Sequence, residues 1–167
     1  MTLPLLSILV FLPLLGALLL WLLPARAARH ATVITMLATL AAASALIVAF
    51  DPAGPRFQFV ERSLWIASLN VHYLLGVDGL SVLFPPATAL LFLGALVASW
   101  NLVHDAPRLH YSLLLALQSA TLGIFCALDL MLFFLFWELT LVPLYFLLAR
   151  WGASAGSARV AARYFLI

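Results

Sequence analysis

A single carboxylate, Glu138, stands in the run Leu130 to Leu148, which carries no other charge. A run of about 20 apolar residues is the length that crosses a bilayer core. An acid at that depth costs roughly 2.5–3.5 kcal/mol on insertion scales, so it belongs where protein, water or an ion path receives it. On a helix, Phe134, Leu135, Leu141, Val142 and Tyr145 flank it, and Tyr145, seven residues on, shares its face. Pro143 has no N–H to give the carbonyl of Leu139, which frees that oxygen for water or a polar side chain beside the acid. A carboxyl group that can hold or release a proton in such a place has the chemistry of a proton relay.

The relay would need a partner. The sequence contains no Lys, and its eight Arg residues fall in loops or near helix ends. Gln118, at the middle of another apolar run, is the neutral polar side chain available for contact, with interhelical hydrogen bonding as its simpler role. The second informative stretch runs from His72 to Ser81. Asp78-Gly79 reads as a turn, and Asp78 or Ser81 can cap the helix that follows. His72, His104 and His110 could titrate near neutral pH, the latter two reading as surface residues. Cys126, the lone cysteine, reads as a small buried apolar residue.

These residues are carried by a chain of 167 residues that is 66% hydrophobic and 8% charged, against about 25% charged in soluble domains. That composition predicts an all-α polytopic membrane protein and excludes a soluble enzyme. No basic stripe or stacking platform for nucleic acid is present. Spans are expected over Leu3–Leu23, Ala31–Phe50, Gly79–Trp100, Tyr111–Leu128 and Leu130–Leu148. The first reads as a retained helix rather than a signal peptide, because no basic residue precedes it. Pro85-Pro86 predicts a kink or a late start in the third. Residues 51–77 form the longest polar connection, read as amphipathic or extended structure at the interface. Val160 to Ile167 is too short to span and reads as a sixth helix cut in its first turns. The division expected is 1–111, with three helices and the external loop 51–78, and 112–167, the start of a helical repeat.

Arg26, Arg29, Arg108, Arg150, Arg159 and Arg163 fall on one side of this topology, and Arg56 and Arg62 on the other. The excess predicts the odd loops in the cytoplasm and the N-terminus outside, in a bacterial inner membrane.

Phe134 to Leu147, with Trp137-Glu138 followed by Leu141-Val142-Pro143-Leu144-Tyr145, resembles the fifth helix of the antiporter-like subunits of respiratory complex I, and is most similar to the M branch of that family. The stretch His72, Asp78, Gly79, Ser81 is similar to the family's segment before its third helix, and Asp129 and Arg150-Trp151-Gly152 also match. The resemblance implies a membrane-arm subunit of a proton-translocating NADH–quinone oxidoreductase, with the chain covering about the first third of the pattern. It implies Glu138 as a proton-channel residue, supported by Pro143, Tyr145 and Gln118, whose Lys partner lies on a later, broken helix. It further implies other membrane-arm subunits as partners, and NADH, FMN, iron–sulfur clusters and quinone bound in partner subunits with none in this chain. Two other readings remain: a cation/proton antiporter or membrane-bound hydrogenase subunit of the same superfamily, and a short structural or assembly protein without transport.

Overall fold

The structure, a computed structural model, describes residues 4–152 and residue 162. The start of a sixth helix expected over Val160–Ile167 lies outside the described residues, apart from residue 162. Among the described residues five α-helices are named: α1 (Leu5–Leu19), α2 (Ala25–Ala49), α3 (Phe84–Ser99), α4 (Pro107–Cys126) and α5 (Leu130–Trp151). Four helical segments, Ala25–Ala49, Ser81–Ser99, Pro107–Cys126 and Leu130–Trp151, are long and apolar enough to cross a membrane. The expected span Leu3–Leu23 is shorter as a helix. After Leu19 the chain tightens, with Trp21 N–H to Leu18 O at 3.1 Å and Leu22 N–H to Leu19 O at 3.0 Å, the i→i+3 pattern of a closing turn. Helix α2 starts six residues before the expected Ala31, directly after Pro24, so Arg26 and Arg29 sit in its opening turns.

The helical membrane fold expected from composition is present. The connection after α2 adds a two-stranded antiparallel sheet, β1 (Gln58–Ile66) and β2 (Val71–Val77), with Leu64 opposite His72 and Ser63 opposite Tyr73. Asn70, in the left-handed region at φ 51°, closes the turn between the strands. Leu75 of β2 bridges to Ala127, and the Leu128 N–H donates to the Leu74 carbonyl at 2.9 Å, tying the hairpin to the α4–α5 turn. Asp78 and Ser81 cap the entry to α3 reciprocally: Ser81 N–H donates to Asp78 Oδ1 at 2.7 Å, and Asp78 N–H to Ser81 Oγ at 2.7 Å. Helix α3 then begins with Pro85 and Pro86 in its first turn, the late start their missing N–H groups require.

Two apolar clusters form the core. One, beside the hairpin, gathers Leu6, Leu9, Val10, Ala43, Leu46, Leu122 and Phe136. The other, at the opposite end, gathers Ala17, Leu20, Ala28, Met36, Leu96 and Tyr111. Cys126 is fully buried in the first, as its apolar setting suggested. Glycine permits the closest approaches. A Cβ on Gly16 would stand 2.5 Å from Thr35 Cγ2, and one on Gly123 would overlap the Phe136 ring, the small-residue packing of membrane helices.

Candidate functional site

Helix α5 packs on α4 through a narrow stripe. Leu132, Phe136 and Pro143 are its buried residues, recurring on one face at helical spacing. Glu138 is two residues beyond Phe136, about 200° around the helix, and is exposed. It makes no hydrogen bond among the described residues. Its neighbours Phe134, Trp137, Leu139 and Val142 are exposed too. The carboxylate therefore stands on an apolar face turned away from α1–α4. Tyr145 is partly buried, with its ring edge-on to Phe146 at 5.3 Å. Pro143 is buried and, with Phe11, Leu14, Ser119 and Ala120, lines an apolar crevice of about 260 Å³ between α1, α4 and α5.

Gln118 is not brought to Glu138. It lies on the inner side of α4, fully buried, while Glu138 faces outward from α5. Sequence spacing placed both near mid-span but carried no information about which way each helix turns. His110 also departs from expectation. Because α4 begins at Pro107, its first turns carry His110 inward, where it is 7% exposed and packs edge-on to Trp151 at 4.9 Å and Tyr111 at 5.3 Å. His104 is exposed.

The two ends of the bundle are chemically distinct. At one end, Arg29 Nη2 donates to the Trp100 carbonyl at 2.7 Å and its guanidinium stacks 4.6 Å over that indole. Arg150 pairs with Asp105 at 2.6 Å on the same side. That pair is solvent-accessible, so its stabilisation is small, but with the Arg29–Trp100 contact it shows that the first and third connections and the C-terminal end of α5 share an end. At the other end lie the hairpin, Asp78 and Asp129.

That second end holds a polar network that inspection of local sequence missed. The Glu61 carboxylate reaches from β1 to the first turn of α1, accepting from Leu6 N–H at 2.7 Å and Ser7 N–H at 3.1 Å, and from the Ser7 hydroxyl. Ser7 Oγ is in turn 2.6 Å from the Tyr73 hydroxyl. With the Ser7 proton directed at the carboxylate, Tyr73 is the donor. Burial holds the Tyr73 phenol above its ordinary value and the Glu61 charge adds to this, against the lowering effect of the Ser7 bond, so the donor proton is kept.

Asp129 serves the same end. Its side chain caps α5, accepting from Met131 N–H at 2.9 Å and Leu132 N–H at 3.2 Å, and also accepts from His72 N–H at 3.1 Å in β2. His72 is further held by Arg62, 3.2 Å from its Nε2. The His72 N–H, followed by the two capping N–H groups, holds the Asp129 carboxyl below the usual carboxylate range. The folded carboxyl thus binds its proton less readily than the unfolded one, which titrates near about 3.9. The stabilisation is present above that pH and is lost as pH falls through the lower folded value. The protection of the His72 amide from hydrogen exchange, taken relative to the intrinsic rate at each pH, is therefore expected to fall on acidification below about pH 4, with the step absent in Asp129→Asn. The same acid step in that variant would remove Asp129 as its cause.

Comparison with known proteins agrees with this architecture. Residues 127–167 match the family described as NADH:quinone oxidoreductase/Mrp antiporter, TM. NAD(P)H-quinone oxidoreductase chain 4 2 of Thermosynechococcus vestitus is 39% identical over 155 residues, covering 90% of this chain and 29% of the relative. NADH-quinone oxidoreductase subunit M of Mycobacterium tuberculosis is 35% identical over 195 residues, covering 98% of this chain and 35% of the relative. F(420)H(2) dehydrogenase subunit M of Methanosarcina mazei is 36% identical over 130 residues, covering 78% and 26%. Among solved structures, the membrane-bound sulfane sulfur reductase, an archaeal respiratory membrane complex, contains a chain that superposes with a TM-score of 0.75 at 20% identity, over 95% of this chain and 24% of that one. That likeness concerns the fold. The chain spans about a third or less of the length of these relatives.

Proposed function

We infer that this chain, a homologue of NADH-quinone oxidoreductase subunit M over about a third of that subunit's length, acts in the membrane arm of such a complex and contributes Glu138 to a proton channel coupled to electron transfer. The observation that carries this reading is the outward face of α5. An ionisable group exposed there to hydrocarbon would cost several kcal/mol, roughly 2.5–3.5 on insertion scales. The face is therefore covered by further helices, which supply the polar surroundings that α1–α4 do not. The length of the relatives supports helices of the same polypeptide as that cover, and neighbouring membrane-arm subunits extend it.

The role read for the chain's own groups is to bind and position protons. The one cysteine is buried among apolar side chains, and one thiolate cannot hold an iron–sulfur cluster. NADH, FMN, iron–sulfur clusters and quinone are assigned to partner subunits, as the resemblance to the complex I subunits implies. The arginine asymmetry supports an orientation with the Arg29 and Arg150 end in the cytoplasm and the hairpin and N-terminus outside, and the bacterial relatives support an inner membrane.

A second reading, an antiporter subunit exchanging a cation for protons, is favoured by the family description, which includes the Mrp antiporters. One experiment separates the two. In inverted membrane vesicles, donor-driven acidification is expected to disappear when the gene is deleted and to return on complementation, with no requirement for sodium. Acidification that survives deletion would overturn the complex I reading. Proton movement driven by a sodium gradient without an electron donor, lost on deletion, would establish the antiporter.

A further inference from the structure

We propose that the centre of the α1–α4 bundle is a water-binding site whose principal ligand is the Gln118 amide. Gln118 is completely buried, and neither its Oε1 nor its Nε2 has a partner among the described residues. An amide taken out of water without replacement bonds costs roughly 2–7 kcal/mol, and buried polar groups in folded chains are almost always paired, with ordered water where protein does not serve. A second orphan stands on the same face. Tyr111, seven residues earlier, is completely buried with its hydroxyl unpartnered.

The position of Gln118 between the two apolar clusters is what makes a site of it. Leu115, three residues before it, belongs to the cluster with Met36 and Leu96; Leu122, four residues after it, belongs to the cluster with Val10 and Ala43. The neighbouring helices change cluster at polar or interrupted positions too. On α2, Thr39 is buried between Met36 and Ala43; it donates to the Thr35 carbonyl at 2.8 Å, which leaves its oxygen free to accept. On α1, Pro13 is buried between Val10 and Ala17 and has no N–H for the Leu9 carbonyl. Three helices thus carry an amide, a hydroxyl and a freed carbonyl at the positions where they pass from one apolar core to the other. Water, which needs two to four polar partners, is the ligand this chemistry fits. The site is separate from Glu138, which faces the other way, and does not depend on the function assigned to that residue.

X-ray hydroxyl-radical footprinting of the full-length protein in its native membrane tests the proposal, because radicals formed from bound water oxidise adjacent side chains that bulk solvent cannot reach. Met36 is the main reporter. It stands eleven residues beyond the first residue of α2 (36 − 25), as Gln118 stands beyond that of α4 (118 − 107), and it is fully buried, as is Tyr111. Normalised for intrinsic reactivity, Met36 and Tyr111 are expected to be oxidised faster than Phe136, which is buried in the other cluster. The excess at Met36 is expected to be lost in Gln118→Leu. Rates at Met36 and Tyr111 no higher than at Phe136 in the unaltered protein would overturn the site whether or not the variant folds. An undiminished Met36 rate in a folded Gln118→Leu protein would remove Gln118 as its ligand.

Discussion

Replacing Glu138 by glutamine in the full-length protein, within its complex, is expected to cut donor-driven proton translocation by about a hundredfold or more, the low end of what a positioned proton-transfer group contributes, while membrane insertion and assembly persist. Glutamine keeps the shape and hydrogen-bonding reach of the side chain but cannot cycle a proton. Insertion is not at risk, since a neutral amide is less costly in hydrocarbon than a carboxylate. Nor is the packing of α5 on α4, because that interface runs through Leu132, Phe136 and Pro143 on the opposite face. Loss of transport with normal assembly would thus report on the proton and not on the fold. The measurement is quenching of a pH-sensitive dye in inverted vesicles, with subunit content checked on the same membranes. Unchanged pumping would remove Glu138 from the proton path. Pro143→Ala separates a second contribution: it restores an N–H to the Leu139 carbonyl and leaves the carboxylate in place, so a slower but not abolished rate is the expected result.

The apolar runs made the helices legible, because a bilayer imposes one length and one composition on each span. Glu138 was legible for the same reason, as a charge where charge is costly. What could not be read was direction. Whether Glu138 faces α4 or faces away depends on which side of α5 carries Phe136 into the space beside Gly123, a match between two helices that neither run announces. His110 differs for the same reason: the expected start of α4 at Tyr111 leaves it in a loop, whereas Pro107 begins the helix and turns the imidazole inward. The hairpin was only half visible. Val60, Trp65 and Ile66 favour strands, but Glu61, Arg62 and Ser63 interrupt the alternation, and the reason for an acid there lies 55 residues away in α1.

That acid leads to the second large effect. Glu61→Ala is expected to destabilise the protein by about 1.5–3 kcal/mol, the range for hydrogen bonds to a charged acceptor. Helix α1 has no cap of its own, since Pro4 precedes it and offers no side-chain acceptor. The first-turn N–H groups of Leu6 and Ser7 are satisfied by Glu61 instead, where the helix dipole also favours a negative charge. The hairpin is shaped to deliver it. A register shift between Gln58 and Glu61 accompanies Phe59 at φ 53°, a left-handed conformation that a bulky residue adopts at a cost of about 1–3 kcal/mol and that a bulge uses to re-aim the strand. Without Glu61 that strain has nothing to offset it, two donors are left unpaired, and the Tyr73–Ser7 bond loses the acceptor that orients it. The variant should therefore show a lower melting temperature in detergent and faster proteolysis within residues 58–77, with Glu61→Gln between the two because it retains one acceptor oxygen. Parental melting and parental protease resistance in Glu61→Ala would show that the hairpin is held by Asp129 and the Leu74–Leu128 bond alone.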